Sequence, residues 1–216
     1  MSRFLAPIHT SLFNKIKVTE DLEINLIISF KEVYGEKVTV IVNDINKKYG
    51  NPLEDAPLED LIDTDNIHGW LQNKIAAAET RQAKLLGDLI NKFGENAKKI
   101  AFNVFDNQAN KLAKQSKNIY KTTTALDIYE ALNLYILEGM PCDNANNITI
   151  KDVDVLEWQN IKCLHRAYWE IAGANVDTLY SLRFSWFKTF VETINPQFTH
   201  TVKPEGSIFI HRIERK

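Results

Sequence analysis

The strongest constraint on this chain is that part of it is written twice. Residues 67–95, IHGWLQNKIAAAETRQAKLLGDLINKFGE, align without a gap on residues 8–36, IHTSLFNKIKVTEDLEINLIISFKEVYGE, at an offset of 59. The identities are Ile8/Ile67, His9/His68, Leu12/Leu71, Asn14/Asn73, Lys15/Lys74, Ile16/Ile75, Glu20/Glu79, Leu26/Leu85, Gly35/Gly94, Glu36/Glu95 and Ile41/Ile100. Eleven matches in 34 ungapped positions exceed chance several-fold and read as an internal duplication, with repeat units over about 8–50 and 67–115.

Inside each copy the shared positions follow a helical period. His9, Leu12, Ile16, Glu20, Ile27, Phe30 and Tyr34 fall within about a third of a turn of one another, and His68, Leu71, Ile75, Glu79, Leu86, Leu89 and Phe93 repeat the stripe. Each helix should run roughly 27 residues, about 40 Å, and stop at Gly35 or Gly94 in the left-handed conformation that glycine tolerates. A second helix follows each glycine, over 36–49 and 95–115, so each unit reads as a helical hairpin that cannot bury its stripe alone.

Two polar positions interrupt the stripe in both copies. If the long helices pack antiparallel, His9 approaches Glu79 and His68 approaches Glu20, giving two symmetric His/Glu clusters able to ligate a metal or hand on a proton. The plainer reading makes each histidine a first-turn cap and each glutamate the edge of the stripe. The Glu-x-x-His pattern of helical di-iron sites is absent.

Composition closes off several function classes. With 44% hydrophobic and 25% charged residues the chain is an ordinary globular one, and a net charge of −2 provides no footprint for nucleic acid or an anionic membrane. Cys142 and Cys163 lack CxxC spacing and fit a reducing compartment. The N-terminus carries no secretory pattern and no window reaches the ~18 apolar residues of a membrane span, so the expectation is a cytoplasmic protein. No Gly-rich phosphate loop, HExxH or GxSxG is present, and no cofactor can be named from the sequence.

Along the chain, residues 51–64 (NPLEDAPLEDLIDT) read as a solvated acidic loop and Asp65 or Asn66 as a cap. Lys111–Lys121 is a basic helix end. Thr122–Thr124 caps an apolar, central helix, Ala125–Glu138. After the turn cluster Asn144–Asn147, residues 148–158 alternate as a strand that slips near Asp152. Helices over about 164–171 and from Asp177 or Thr178 to Asn195 follow. Residues 197–213 read as a hairpin about a Lys203-Pro204-Glu205-Gly206 type I turn.

The fold class expected is mainly α (α+β). It has two duplicated helical hairpins, a central helix and a small antiparallel sheet near the C-terminus. Residues 1–140 would be the duplicated helical region and 145–216 a small α+β region, separate or packed as one domain with the first.

In this last region a strand leading to Cys163, a helix, an aromatic helix containing Trp186, and a closing hairpin with Glu205-Gly206 stand in order. This layout, over about 70 residues, resembles the C-terminal module of L-2-amino-thiazoline-4-carboxylate hydrolase-like proteins and of 4-vinyl-reductase-like ligand-binding domains. The resemblance implies a small-molecule pocket. Those families carry a cysteine after the turn where this chain has Ser207-Ile208-Phe209.

Cys163 and His165 sit at a strand-to-helix junction, where a thiolate nucleophile is conceivable, with His200 or His211 as a more distant base. Residues two apart on a helix do not face each other, so a buried cysteine beside a surface histidine is the plainer reading. Arg166, Trp169, Arg183, Trp186 and His211 could line a site for a planar, carboxylated molecule, since arginine forks match carboxylates; a packed aromatic core accounts for most of the rings. Three functions stay open: a binding protein for a small planar or acidic molecule, a thiol- or metal-dependent hydrolase using Cys163 or His9, Glu20, His68 and Glu79, and a helical scaffold or homodimer.

Overall fold

Apolar residues at helical spacing form α1 (Pro7–Tyr34), with Pro7 in the first turn, where its missing N–H removes no helical bond. The computed structural model describes residues 5–206 and 208–216. Gly35 alone separates α1 from α2 (Glu36–Tyr49), and a short α3 (Leu58–Leu61) precedes α4 (Ile67–Lys117). Gly94 breaks α4 with φ 66° and ψ −147°, nearly repeating the φ 59° and ψ −140° of Gly35. Neither is the left-handed helical conformation expected from the sequence. Both lie in the extended, positive-φ region that only a residue without Cβ enters cheaply.

The remaining elements are α5 (Ala125–Asn133), β1 (Asn146–Lys151), β2 (Val155–Asn160), α6 (Arg166–Ile171), α7 (Val176–Ile194), β3 (Phe198–Glu205) and β4 (Ile208–Arg215). The fold is mainly α with one small antiparallel sheet near the C-terminus, ordered β1-β2-β4-β3. No helix among the described residues is long and apolar enough to cross a membrane.

The chain divides into two compact units, but not at 140–147. One unit holds the residues up to Ala101 together with His165–Val176; the other holds Phe102–Leu164 and Asp177–Lys216. The division crosses α4 because its two ends serve different partners. Glu79 bonds to His165 and Trp169 in the first unit, while Asp106, Gln108 and Asn110 bond to Ser185, Trp186 and Thr193 of α7 in the second.

In the first unit the contacts between α1 and the N-terminal part of α4 advance together along both helices. His9 meets His68, Phe13 meets Trp70, Arg81 meets Glu20 and Glu23, and Tyr34 stacks on Phe93 with centroids 3.8 Å apart. The helices therefore run parallel, so the antiparallel arrangement that would set His9 against Glu79 is not the one formed, and partners 59 residues apart meet near both ends. The stripe is buried on both helices: Ile16, Leu26 and Phe30 of α1 and Leu71, Ile75, Leu86 and Leu89 of α4 are at most 2% exposed. The stripe residues thus form a buried seam within the unit.

A buried charge cluster selects this direction. Arg81, 1% exposed, donates from Nε to both Glu23 oxygens at 2.9 Å and from Nη2 to Glu20 Oε1 at 2.7 Å. Glu20 Oε2 accepts from the Leu53 backbone N–H at 2.9 Å. In the antiparallel register that sets His9 against Glu79, Arg81 would fall opposite residue 7 and both carboxylates would be buried without a cation. The loop that supplies Leu53 buries the apolar Leu58 and Ile62, while its acidic residues Glu54, Asp55, Glu59, Asp60 and Asp63 are exposed, as the charge run implied.

In the second unit the strand expected over 148–158 is a hairpin. The slip in alternation near Asp152 marks its turn, where Asp152 N–H donates to Val155 O at 2.8 Å. Thr124 caps α5 as expected, accepting from Asp127 N–H at 3.1 Å. The helix ends at Asn133 rather than Glu138, and the Leu137 carbonyl accepts from Arg183 instead of a helical N–H. In the last hairpin Pro204 lies within β3 opposite Phe209, so the turn is at Gly206 and not at Lys203–Gly206. Ser207 falls outside the described residues.

Removing the shared cation tests the seam. Arg81→Met should destabilise the protein by about 3–5 kcal/mol, since two buried carboxylates lose their partner. Adding Glu20→Gln and Glu23→Gln should restore most of that loss; denaturant unfolding of the three proteins reads it directly. An Arg81→Met protein as stable as the parent would mean the cluster does not hold the helices.

Candidate functional site

Strand alternation sends Leu156, Trp158 and Asn160 of β2, Phe198 and His200 of β3, and Phe209, His211 and Ile213 of β4 to one face of the sheet. The α7 side chains Tyr180, Phe184 and Phe187, four and three residues apart, lie on one stripe and cover that face. Ring centroids are 4.6 Å apart for Tyr180 and Phe209, 5.4 Å for Phe184 and His211, and 5.6 Å for Phe187 and His200.

At the centre of this face is a directed line of hydrogen bonds. Asn160 Nδ2 donates to Asn146 Oδ1 at 2.5 Å, which leaves Asn160 Oδ1 to accept from His211 Nε2 at 2.6 Å. His211 Nδ1 must then accept, and His200 Nε2 donates to it at 3.1 Å. Each histidine is thus a single neutral tautomer. Burial agrees: it lowers His211 from 6.5 to about 3, with the Glu138 carboxylate opposing and the Arg183 guanidinium assisting. Burial, helped by the charges of His211 and Lys188, holds His200 well below the ordinary histidine value.

Trp158 lies directly opposite His211 in the sheet and stacks on it, centroids 4.8 Å apart and planes 10° from parallel. Tyr129 of α5 also packs against Trp158, centroids 5.0 Å apart, and burial beside Glu138 pushes the Tyr129 phenol up to about 12. Trp158 is fully buried, yet its Nε1–H has no acceptor among the described residues. At the rim Arg183 pairs with Glu138 and lies 4.8 Å over the Phe187 ring.

The residues singled out from sequence are distributed over both units. His211 and Arg183 belong to the face just described. Trp186 is buried but turned to Gln108 Oε1, 3.1 Å away, and stacked on Phe190. Cys163 Sγ lies 2.5 Å from the Tyr180 hydroxyl. In the other unit His165 Nδ1 is 2.9 Å from Glu79 Oε1, Trp169 Nε1 donates to Glu79 Oε2 at 3.1 Å, and the two rings stack. Arg166 pairs with Glu170 on the exposed surface of α6. A Cys163/His165 pair is therefore not assembled as a dyad, because each side chain is oriented by its own carboxylate or phenol partner.

The proposed metal set is also divided. Glu20 serves Arg81 and Glu79 serves His165, leaving only His9 and His68 together, their Nε2 atoms 3.2 Å apart. No group of three or more His, Cys, Asp or Glu side chains able to hold a metal ion occurs among the described residues.

Sequence reasoning missed Trp158, Asn160 and Asn146, and gave His200 only a distant supporting role. The signal was present in the strand phase. His200 and His211 fall on the inward parity of their strands, and the observed pairing of His200 with Ile213 and Val202 with His211 makes them diagonal neighbours on one face. Compared with known proteins, the chain finds no match among family models, curated proteins or solved structures.

Neutral burial of the histidines has a pH signature. The folded state binds fewer protons than the unfolded one, so stability is full above the ordinary histidine value of 6.5 and falls as pH drops toward the depressed folded value of about 3. The loss should approach about 1.4 kcal/mol per pH unit for each histidine. Urea midpoints measured between pH 7.5 and 5 should fall accordingly. A flat midpoint over that window would contradict two neutral buried rings.

Proposed function

We propose that the C-terminal unit binds a small planar molecule that carries a hydrogen-bond acceptor such as a carbonyl or carboxylate. The observation behind this reading is the Trp158 indole N–H, fully buried beside a line of bonded polar groups and itself without an acceptor among the described residues. An unmet buried donor costs about 1–3 kcal/mol, a cost an acceptor on a ligand would remove. The stacked Trp158 and His211 rings, with Tyr129 and Phe184 packed on them at an angle, suit a flat partner. The C-terminal layout that resembles ligand-binding modules supports the same assignment.

The acidic character considered from sequence carries less weight. Arg183, the arginine at this face, already faces Glu138, so a ligand carboxylate would have to compete with an internal one. A polar but uncharged acceptor fits the neutral tautomers better.

A ligand that reaches Trp158 is enclosed and should leave slowly. Native mass spectrometry of gently purified protein should show an added organic mass that denaturation releases and that Trp158→Phe reduces severalfold. A clean apo mass, together with no calorimetric binding of 2-naphthamide as a planar, uncharged acceptor probe, would overturn the reading.

The hydrolase alternative rests on the contact between Cys163 and the Tyr180 hydroxyl, which places the thiol beside the same aromatic row. For a binding protein, Cys163→Ala should leave the retained mass unchanged. Accumulation of an intact bound ester or thioester only in the Cys163→Ala protein would instead establish a thiol-dependent reaction.

A further inference from the structure

The other unit carries a feature that plays no part in this reading. His9 and His68 lie in the first turns of α1 and α4, and their Nε2 atoms face each other at 3.2 Å with ring planes 65° apart. Two nitrogens each ~2.0–2.1 Å from a tetrahedral zinc ion stand about 3.3 Å apart, so this spacing is already that of a chelate. We propose that His9 and His68 together form a two-imidazole site for a borderline divalent cation such as Zn²⁺ or Ni²⁺, with water completing the coordination.

The backbone supports both ligands independently of the metal. Each histidine belongs to a long helix whose apolar stripe is buried in the seam, and Phe13 and Trp70 pack one turn further on, 6.4 Å apart. The parallel direction of the helices brings the two first turns to one end; an antiparallel pair would separate them by the length of the seam. His68 is exposed and His9 half-buried, so a hydrated ion can reach both. Neither first turn carries a lysine or arginine to compete as a fixed cation, while Asp63 and Asp65 precede α4 in sequence and add negative charge to the approach.

Without a metal, the two rings hold each other. Ala6 N–H donates to His9 Nδ1 at 3.2 Å, which leaves the proton on His9 Nε2 and directs it to His68 Nε2. A metal at Nε2 requires the other tautomer of His9 and release of the Ala6 bond.

The test is isothermal titration calorimetry of ZnCl₂ and NiCl₂ into untagged protein, with His9→Gln and His68→Gln as single variants and circular dichroism to confirm folding. One ion per chain should bind to the parent, and each variant alone should lose affinity by tenfold or more, because a chelate needs both rings. Retained affinity in either variant would show a single-ligand contact, and no one-to-one binding by the parent would also overturn the proposal. Since the site is in the other unit, either failure leaves the retained-mass experiment on Trp158 unaffected.

Discussion

One guanidinium shared between two buried carboxylates fixes the direction in which the first unit is built. Hydrophobic stripes of the kind found on α1 and α4 are indifferent to polarity, since a stripe on each of two cylinders can be closed head to head or head to tail. Arg81 removes the ambiguity. Its fork reaches Glu23 with one edge and Glu20 with the other, and Glu20 uses its second oxygen to hold the Leu53 backbone of the connecting loop. Burial raises the Glu23 carboxyl against the pull of Arg81, so the cluster is specific rather than generously stabilising. Direction, register and loop path depend on the same three side chains.

The second unit solves the opposite problem. Its polar groups are buried without charge, on a sheet made of two hairpins and covered by α7. Asparagine side chains at the β1–β2 end set the orientation of Asn160, which sets the tautomer of His211, which in turn sets that of His200. A line of bonds of this kind has one sense only, and the neutral rings can then stack with Trp158 and the phenylalanines as ordinary aromatic groups. Electrostatics dominate one unit and tautomerism the other, although both use the same few residue types.

Much of the architecture was readable from the residues. The two glycine breaks fall where helices end, Thr124 caps α5, and the alternating stretches before and after α7 are strands. What could not be read follows from specific causes. Arg81 aligns with Leu22, so the residue that decides helix direction lies outside the shared pattern, and an argument from shared positions alone favoured the wrong pairing. The turns were misplaced where one slip in alternation has two meanings: near Asp152 a bulge and a hairpin look alike over three residues. Trp158 was hidden for a different reason, because a tryptophan on an inward strand position is ordinary until its N–H is traced. The partner of His165 is Glu79, 86 residues away in sequence, which no local spacing around Cys163 could have indicated.

Gly35 and Gly94 occupy almost the same point in torsion space, and an added Cβ at either would meet no neighbouring atom within 4 Å. Nothing around these joints therefore excludes a side chain. The restriction comes from handedness: an L-residue is built with the wrong mirror sense for that torsion pair, and glycine is the one amino acid with no mirror sense at all. Both bends are thus written in the stereochemistry of the backbone itself, independent of what packs around them, and they would keep their angle even as the surrounding surface drifted to an unrelated sequence.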